Sequence, residues 1–440
     1  MASLNKRIVK HTHEGGKAYS GYLSPMAQLR RTVMSCFLWE QTFYEDGVSI
    51  ADRIQSLATE VSANDLAKLA IEARTEMNLR HVPLLLLSVL CRTGSGSSIV
   101  SETFPKVIKR ADELAEFCVV YASINGQKPD KLKLSAQAKK GLAKAFENFN
   151  EYDLSKYNRD GAVKLRDVMF MCHPKPSSKE RETMYARLAQ NELKTADTWE
   201  VALSSGADKK ETFERLISEG KLGYMALLRN LRNMTQACVD KSLIKDALLK
   251  GKRDRILPFR FVAAARACPS LEPTIDAAMM ASIDALPMLK GRTIVLVDVS
   301  GSMNNNLSSK SDMTRMDAAC ALASIINADD LQVFSFSSTL VAVPPRKGMA
   351  GIDAIQHSQR NSSTRLMDAL TEINNKYDYD RIIVITDEQT HDGIAKPKGK
   401  GYLINVGSYQ NGVGYGEWLH IDGFSENVLK YIYEVENGEQ

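Results

Sequence analysis

The 440-residue chain reads as a multidomain protein: an all-α array of stacked helices over residues 1–288, then an α/β domain built on a doubly wound parallel sheet over 289–440. Three observations predict this. The length exceeds what one ordinary core organises. Apolar residues recur three and four apart until about residue 285, and from Gly291 onward short β-branched runs alternate with helical stretches. The net charge of +4 is divided unevenly, +10 over residues 1–290 and −6 over 291–440.

Composition narrows the class. Hydrophobic residues at 44% and charged residues at 25% are those of a soluble globular protein. Val82 to Cys91 (VPLLLLSVLC) is about half a membrane-spanning helix and reads as buried core. The N-terminal MASLNKRIVKHTHEGG has no apolar segment behind its basic residues, so no secretory signal is expected. Seven cysteines lie scattered at 36, 91, 118, 172, 238, 268 and 320 without a CxxC pair. Zinc or a disulfide framework is therefore not expected, and a reduced cytoplasm is. A basic first part joined to an acidic second suggests that the first meets a polyanion; chance asymmetry of surface charge is the alternative.

Taken in order, helical periods are clearest at Ala67–Arg74, Leu142–Phe149 and Tyr224–Leu231. Gly, Pro, Asn and Ser punctuate near 94–98, 125–129, 174–178 and 204–207, dividing the region into segments of one or two helices. Each is too short to bury its apolar face alone, so helix must stack on helix in a repeat-like array with diverged repeats. The grammar changes at Leu286-Pro287-Met288-Leu289-Lys290-Gly291. Beyond it, Thr293–Val297, Leu331–Phe336, Ile382–Ile385 and Tyr402–Val406 read as buried strands, and Met316–Ile326 and Leu366–Ile373 as helices between them.

The first of those strands runs into Asp298-Val299-Ser300-Gly301-Ser302. Ligands of open parallel sheets bind beyond the carboxyl ends of strands. A carboxylate and two hydroxyls there are hard oxygen donors suited to magnesium or calcium rather than zinc. Gly301 is expected to permit the tight path that lets them converge. Thr364, opening a helix after Asn361-Ser362-Ser363, and Asp387, closing the strand Ile383-Val384-Ile385-Thr386, supply further donors at corresponding loops. Helix capping by Asp298 and Thr364 is the bland alternative.

Asp–x–Ser–x–Ser, a Thr some sixty residues on, then an Asp after an apolar strand resembles the metal-ion-dependent adhesion site (MIDAS) of von Willebrand factor A domains, whose sheet is Rossmann-like. The resemblance implies that Ser300, Ser302 and Thr364 reach a divalent cation, Mg2+ first with Ca2+ or Mn2+ next, while Asp298 and Asp387 act largely through water. It also implies an incomplete shell that an acidic partner group can finish.

Further motifs lie in the helical part: Phe149-Asn150-Glu151-Tyr152-Asp153-Leu154-Ser155-Lys156-Tyr157-Asn158-Arg159-Asp160-Gly161, Cys172-His173-Pro174-Lys175-Pro176, Gln28-Leu29-Arg30-Arg31, Leu228-Arg229-Asn230-Leu231-Arg232 and Leu257-Pro258-Phe259-Arg260-Phe261. In this order, and followed by the A domain, they resemble the TROVE module of the Ro autoantigen family. The resemblance implies a monomeric ring of HEAT-like helical repeats that binds small structured noncoding Y RNAs on a basic outer surface and single-stranded ends of misfolded RNAs in its hole. RNA contacts carry over by motif to Lys156, Arg159 and His173; the chain is one residue shorter between Lys156 and Gly161 than the animal pattern, which weakens the match at Arg159.

The residues support a polyanion site independently. Lys139, Lys140, Lys144, Lys156, Arg159, Lys164, Arg166 and Lys175 fall within 37 residues, a density that attracts phosphates through counterion release. For Lys139, Lys140 and Lys144 an ordinary solvated face is the alternative. Arg30, Arg31, Arg229 and Arg232 read either as RNA contacts or as partners of helix ends and carboxylates. His173, before a proline, reads otherwise as a helix end. Tyr152, in register with Leu142, Phe146 and Phe149, is expected in the core rather than as a stacking platform.

Catalytic machinery is thin. No GxxxxGK[ST], GxSxG or HExxH occurs, and seven histidines leave little general-base capacity. A carboxylate-poor cation site is a weak nuclease centre. The expectation is a non-enzymatic, cytoplasmic RNA-binding protein acting in RNA quality control, or as an adaptor to an exoribonuclease. The second reading is a protein-interaction adaptor whose A domain grips an acidic partner residue through the cation, with the helices as scaffold.

Overall fold

The computed structural model describes residues 11–12, 15, 24–34, 47–77, 79–253, 256, 258–283, 288–306, 312–407, 412–422, 432–433 and 435–436. The chain forms two compact units, one comprising Ser24–Val33 with Ala51–Thr212, the other Met1–Leu23, Met34–Ile50 and Phe213–Gln440. The change from helices to strands falls at Leu289, whereas the division into compact units falls at residues 212 and 213.

The first unit is helical: α1 Pro25–Met34 as far as Val33, α2 Gly47–Thr59 from Ala51 on, α3 Ala63–Thr75, α4 His81–Thr93, α5 Ser98–Val107, α6 Asp112–Ile124, α7 Ala136–Phe146, α8 Glu151–Tyr157, α9 Leu165–Cys172, α10 Lys179–Gln190 and α11 Trp199–Ser204. Serine side chains at 62, 97, 135 and 178 accept the first free amides of α3, α5, α7 and α10, so the polar punctuation of the sequence works as N-caps. Packing follows the order of a stacked array. α3 meets α4 and α5, α4 meets α5 and α6, α5 meets α7, and both α6 and α7 meet α9. Val82 to Cys91 are buried in α4, with neighbours on every side.

Charge also ties these helices. Glu113, fully buried, takes the Arg74 guanidinium of α3 at 3.0 Å and the amides of Lys109 and Arg110 at 2.8 and 3.0 Å, so its buried charge is satisfied by hydrogen bonds. The tightest approach is between α5 and α7. A Cβ built on Gly141 would stand 2.3 Å from the Phe104 ring, a buried side chain edge-on to Phe117. We expect Gly141→Ala to destabilise this unit by about 2 kcal/mol through overpacking, despite alanine's better helix propensity. Chemical denaturation checks this; a stabilised variant would show that the ring moves aside freely.

The second unit contains α12 Lys209–Ser218 from Phe213 on, α13 Tyr224–Gln236, α14 Lys241–Lys250, α15 Pro258–Ala267, α16 Glu272–Ile283, β1 Leu289–Asp298, α17 Arg315–Ala323, β2 Ala328–Phe336, β3 Leu340–Val343, α18 Gly348–Gln356, α19 Leu366–Lys376, β4 Arg381–Thr386, β5 Lys400–Asn405 and β6 Leu419–Asp422. The six strands among the described residues run in the order β3-β2-β1-β4-β5-β6. All neighbours are parallel except β2 and β3, which form an antiparallel edge hairpin. The four strands expected from the apolar runs are β1, β2, β4 and β5. The four-residue edge strands β3 and β6 have too little apolar length to stand out. Ile294, Leu296, Phe334, Phe336, Ile382 and Val384 share a cluster with Leu366, Leu370 and Ile373 of α19, while α17 also packs on β1 and β4. A parallel sheet covered by helices buries both strand faces, which is why these strands read as continuous apolar runs rather than alternations.

Helices α15 and α16 dock on α17 and α18. Arg266 of α15 donates two hydrogen bonds to Asp317 of α17, at 2.8 and 2.6 Å, and the Met349 amide of α18 donates to Asp276 of α16 at 2.9 Å. Because of these contacts the last helices of the helical region belong to the same compact body as the sheet.

Candidate nucleic-acid interface and cation cradle

The cradle forms where β1 and β4 end side by side. Asp298, Ser300, Ser302, Thr364 and Asp387 are all buried. The Ser300 amide and the Thr386 hydroxyl donate to the two oxygens of Asp298, at 2.9 and 2.6 Å. Ser300 Oγ and Ser302 Oγ lie 3.3 Å apart. The loop carrying Thr364 is drawn in by the Gly301 amide, which donates to Ser362 O at 3.0 Å. Thr364 itself is held by its neighbours: its amide donates to His391 Nδ1 at 3.0 Å, and its carbonyl accepts the Thr390 hydroxyl at 3.1 Å and the His391 amide at 2.9 Å. Gly301 is not needed for the reason expected from the sequence. Its φ is not left-handed, and an added Cβ would make only ordinary contact with Ser362 O at 3.5 Å.

The electrostatics are those of a cradle short of positive charge. Burial first, then the Asp387 carboxylate, push the Asp298 carboxyl up to about 7, against the hydrogen bonds from Ser300 and Thr386. Arg315, itself buried, brings one guanidinium nitrogen to 3.7 Å from Asp387 Oδ2, offsetting part of that charge. Two buried carboxylates and three hydroxyls suit a hard divalent cation, so the donor set fits one.

In the helical unit, Lys139, Lys140 and Lys144 project from α7 on the face opposite its buried Ala138, Leu142, Ala145 and Phe146. Lys156, in the last turn of α8, holds its ammonium 5.8 Å from the Tyr152 ring centre and 5.6 Å from that of Tyr157, while the Arg110 guanidinium stands 4.7 Å over Tyr157. Arg159 follows in the exposed loop. His173 closes α9 in a left-handed conformation, φ 48° and ψ 62°, its amide donating to Met169 O at 2.9 Å and its ring exposed. The segment after it, with exposed Lys175, is tied to the end of α7 by Ser177 to Glu147 at 2.8 Å and by Arg181 to Glu147 O at 2.7 Å. Lys139, Lys140, Lys144, Lys156, Arg159 and Lys175 make no ion pair among the described residues. Lys164 of the same stretch differs, spending its charge on Asp160 at 2.6 Å.

One expectation changes, at Tyr152, and one open alternative is settled, at Arg30. Tyr152 is 43% exposed rather than core, because α7 ends at Phe146 and Asn150 caps a new helix, which breaks the register with Phe146. Arg30 is a partner of Glu72, at 2.6 Å. Arg31 lies in α1 with its side chain outside the described residues. Sequence reading missed Arg315, Thr386 and His391 beside the cradle. Their partners lie tens of residues away, and nothing local marks them; only the capping box of Thr314 and Asp317 hints that Arg315 begins a helix.

Comparison with known proteins agrees with this architecture. The TROVE domain family matches residues 26–196 and 190–317. The crystal structure of the Deinococcus radiodurans Ro (Rsr) protein superposes with a TM-score of 0.64 at 17% identity, over 94% of this chain and 100% of that one, and so shares the fold. Telomerase protein component 1 of Mus musculus is 36% identical over 86 residues, which is 18% of this chain and 3% of that much longer protein. The two matched segments together span most of the chain from α1 into α17, and on that ground the chain belongs to the TROVE domain family, whose Ro-like members are RNA-binding proteins.

Proposed function

We propose that this protein binds a small, structured, Y-like noncoding RNA through polar and cationic side chains of α7, α8 and the 173–175 turn: Lys139, Lys140, Lys144, Lys156, Arg159, the His173 imidazole and Lys175, with Arg31 as a further contact. The observation that carries the reading is the run of exposed and half-buried lysines and Arg159 that have no carboxylate partner among the described residues, in a unit otherwise rich in ion pairs. Charges left unpaired by the fold are available to neutralise phosphates, and they release counterions when they do. In the same reading, single-stranded ends of misfolded RNA enter the hole of the ring implied by the family, and the complex serves RNA quality control or hands RNA to an exoribonuclease in the cytoplasm. Affinity for a structured RNA should fall steeply with salt, its logarithm linear in that of salt concentration. Affinity independent of salt would overturn the reading.

The cradle is proposed to hold Mg2+ through Ser300, Ser302 and Thr364, with Asp298 and Asp387 supplying charge. When bound, such an ion offers an open coordination position to an acidic group of a partner. A cation that binds the folded state at a hundred times its dissociation constant adds about 2.7 kcal/mol. We therefore expect Mg2+ to raise the melting temperature of the protein but not that of Ser300→Ala/Ser302→Ala, measured by calorimetry after dialysis against chelator. Equal shifts in both would remove the ion from this cradle.

A further inference from the structure

The cation cradle is bordered by a positive charge of the chain's own. Arg315 is buried and is the first residue of α17, where the amides of the first turn already make the helix end positive. A guanidinium is doubly disfavoured there, opposed by the helix dipole and stripped of water by burial. Asp317 of the same turn is committed to Arg266 and to the Thr314 amide. The place for Arg315 is nevertheless built. Its amide donates to Asn305 O at 2.9 Å, which fixes the start of the helix, and its side chain lies against the residues that follow β4 and β5. One guanidinium nitrogen stands 3.7 Å from Asp387 Oδ2, a charge contact too long for a hydrogen bond. A Cβ on Gly407 would stand 3.4 Å from that nitrogen and 3.0 Å from Asp387 Cβ, so glycine keeps the space that both side chains use.

We propose that Arg315 governs cation binding: its charge weakens the hold of the cradle on a divalent ion alone and makes tight binding depend on a carboxylate ligand that arrives with the ion. This rests on the proposed Mg2+ site and adds what controls it. While no ion is bound, the guanidinium beside Asp387 offsets the repulsion between Asp387 and Asp298. Beside a dication the same guanidinium is a like charge, in a buried site where charges act more strongly than in water. Of the five cradle residues only Asp298 and Asp387 carry charge, so the hydroxyls of Ser300, Ser302 and Thr364 do nothing to balance Mg2+ and Arg315 together. An anion at the open coordination position relieves that excess, and a water does not. The coupling is reciprocal, so the carboxylate in turn binds only where the cation does.

The test is calorimetric titration of Mg2+ into the full-length protein, first freed of metal with chelator, in buffers of equal ionic strength containing either chloride or acetate. In chloride, Arg315→Gln should bind Mg2+ roughly 10-fold more tightly than the parent. Arg315→Lys, which keeps the charge, should stay near the parent. Acetate should tighten Mg2+ binding by roughly 5-fold or more in the parent, and by a smaller factor in Arg315→Gln. Melting temperatures give a second readout. Without Mg2+, Arg315→Gln should melt below the parent because the two carboxylates lack their counter-charge, yet it should rise further than the parent when Mg2+ is added. A bridge that merely joins α17 to the end of β4 would cost stability and leave Mg2+ affinity unchanged, and that result overturns the proposal. So does a lysine variant that behaves like Arg315→Gln, or a parent whose Mg2+ affinity ignores acetate, a result that needs no variant to fold. If the parent binds no Mg2+, or Ser300→Ala/Ser302→Ala binds it equally well, the cradle reading itself fails and Arg315 loses its role with it.

Discussion

Lys156→Ala combined with His173→Gly is expected to cost roughly 100-fold in affinity for a structured small RNA, about 2.7 kcal/mol, while stability stays within about 0.5 kcal/mol of the parent. The His173 ring is exposed and Lys156 is half-buried beside Tyr152 and Tyr157, and neither is paired to a carboxylate among the described residues. Glycine is chosen at 173 because the native φ of 48° lies in the left-handed region, which glycine adopts without cost. Any loss then reflects the missing ring rather than a distorted turn. The slope of log affinity against log salt should become shallower by about one for each phosphate contact removed. Parent-like affinity and slope would show that phosphates lie elsewhere on this unit.

Asp317→Ala should be the most damaging single change, about 3 kcal/mol, because one buried carboxylate performs three tasks. It takes both hydrogen bonds of the Arg266 guanidinium, it accepts the Thr314 amide at 2.8 Å to complete the capping box of α17, and it receives the Gln356 side chain. Removal leaves Arg266 without its carboxylate and unties α15 from α17. Burial pushes the Asp317 carboxyl up, but the Arg266 hydrogen bonds, the Thr314 amide and the Arg266 charge outweigh it and hold it below the usual carboxylate range. A carboxyl lowered in the folded state stabilises above its unfolded value, about 3.9, and that contribution is lost as pH falls through the folded one. Denaturation curves of the parent and of Asp317→Asn should therefore differ most at neutral pH and converge in strong acid. Curves separated by the same amount at every pH would assign the effect to packing instead.

Much of this architecture is legible from local pattern. Three- and four-residue apolar spacing finds α3, α7 and α13, because a helix that buries one face writes its period into the chain. Continuous apolar runs find β1, β2, β4 and β5, because a sheet covered on both faces leaves no polar alternation. The oxygen donors after β1 and β4 were likewise visible, since strand ends in parallel sheets are where sites form.

Residue types and spacing by themselves determined a helical array followed by a parallel sheet, the oxygen-rich strand ends, and a cluster of cations between 139 and 175, since each depends on neighbours within a few turns or one strand. Tertiary structure alone decided which of those cations have no carboxylate partner among the described residues, that Tyr152 and Phe170 are exposed, and that Arg315 stands beside Asp387. It also decided that α15 and α16 join the body of the sheet. Those outcomes turn on partners far apart in the chain, and pairing, burial and charge at a distance are fixed by how elements pack rather than by the period within any one of them.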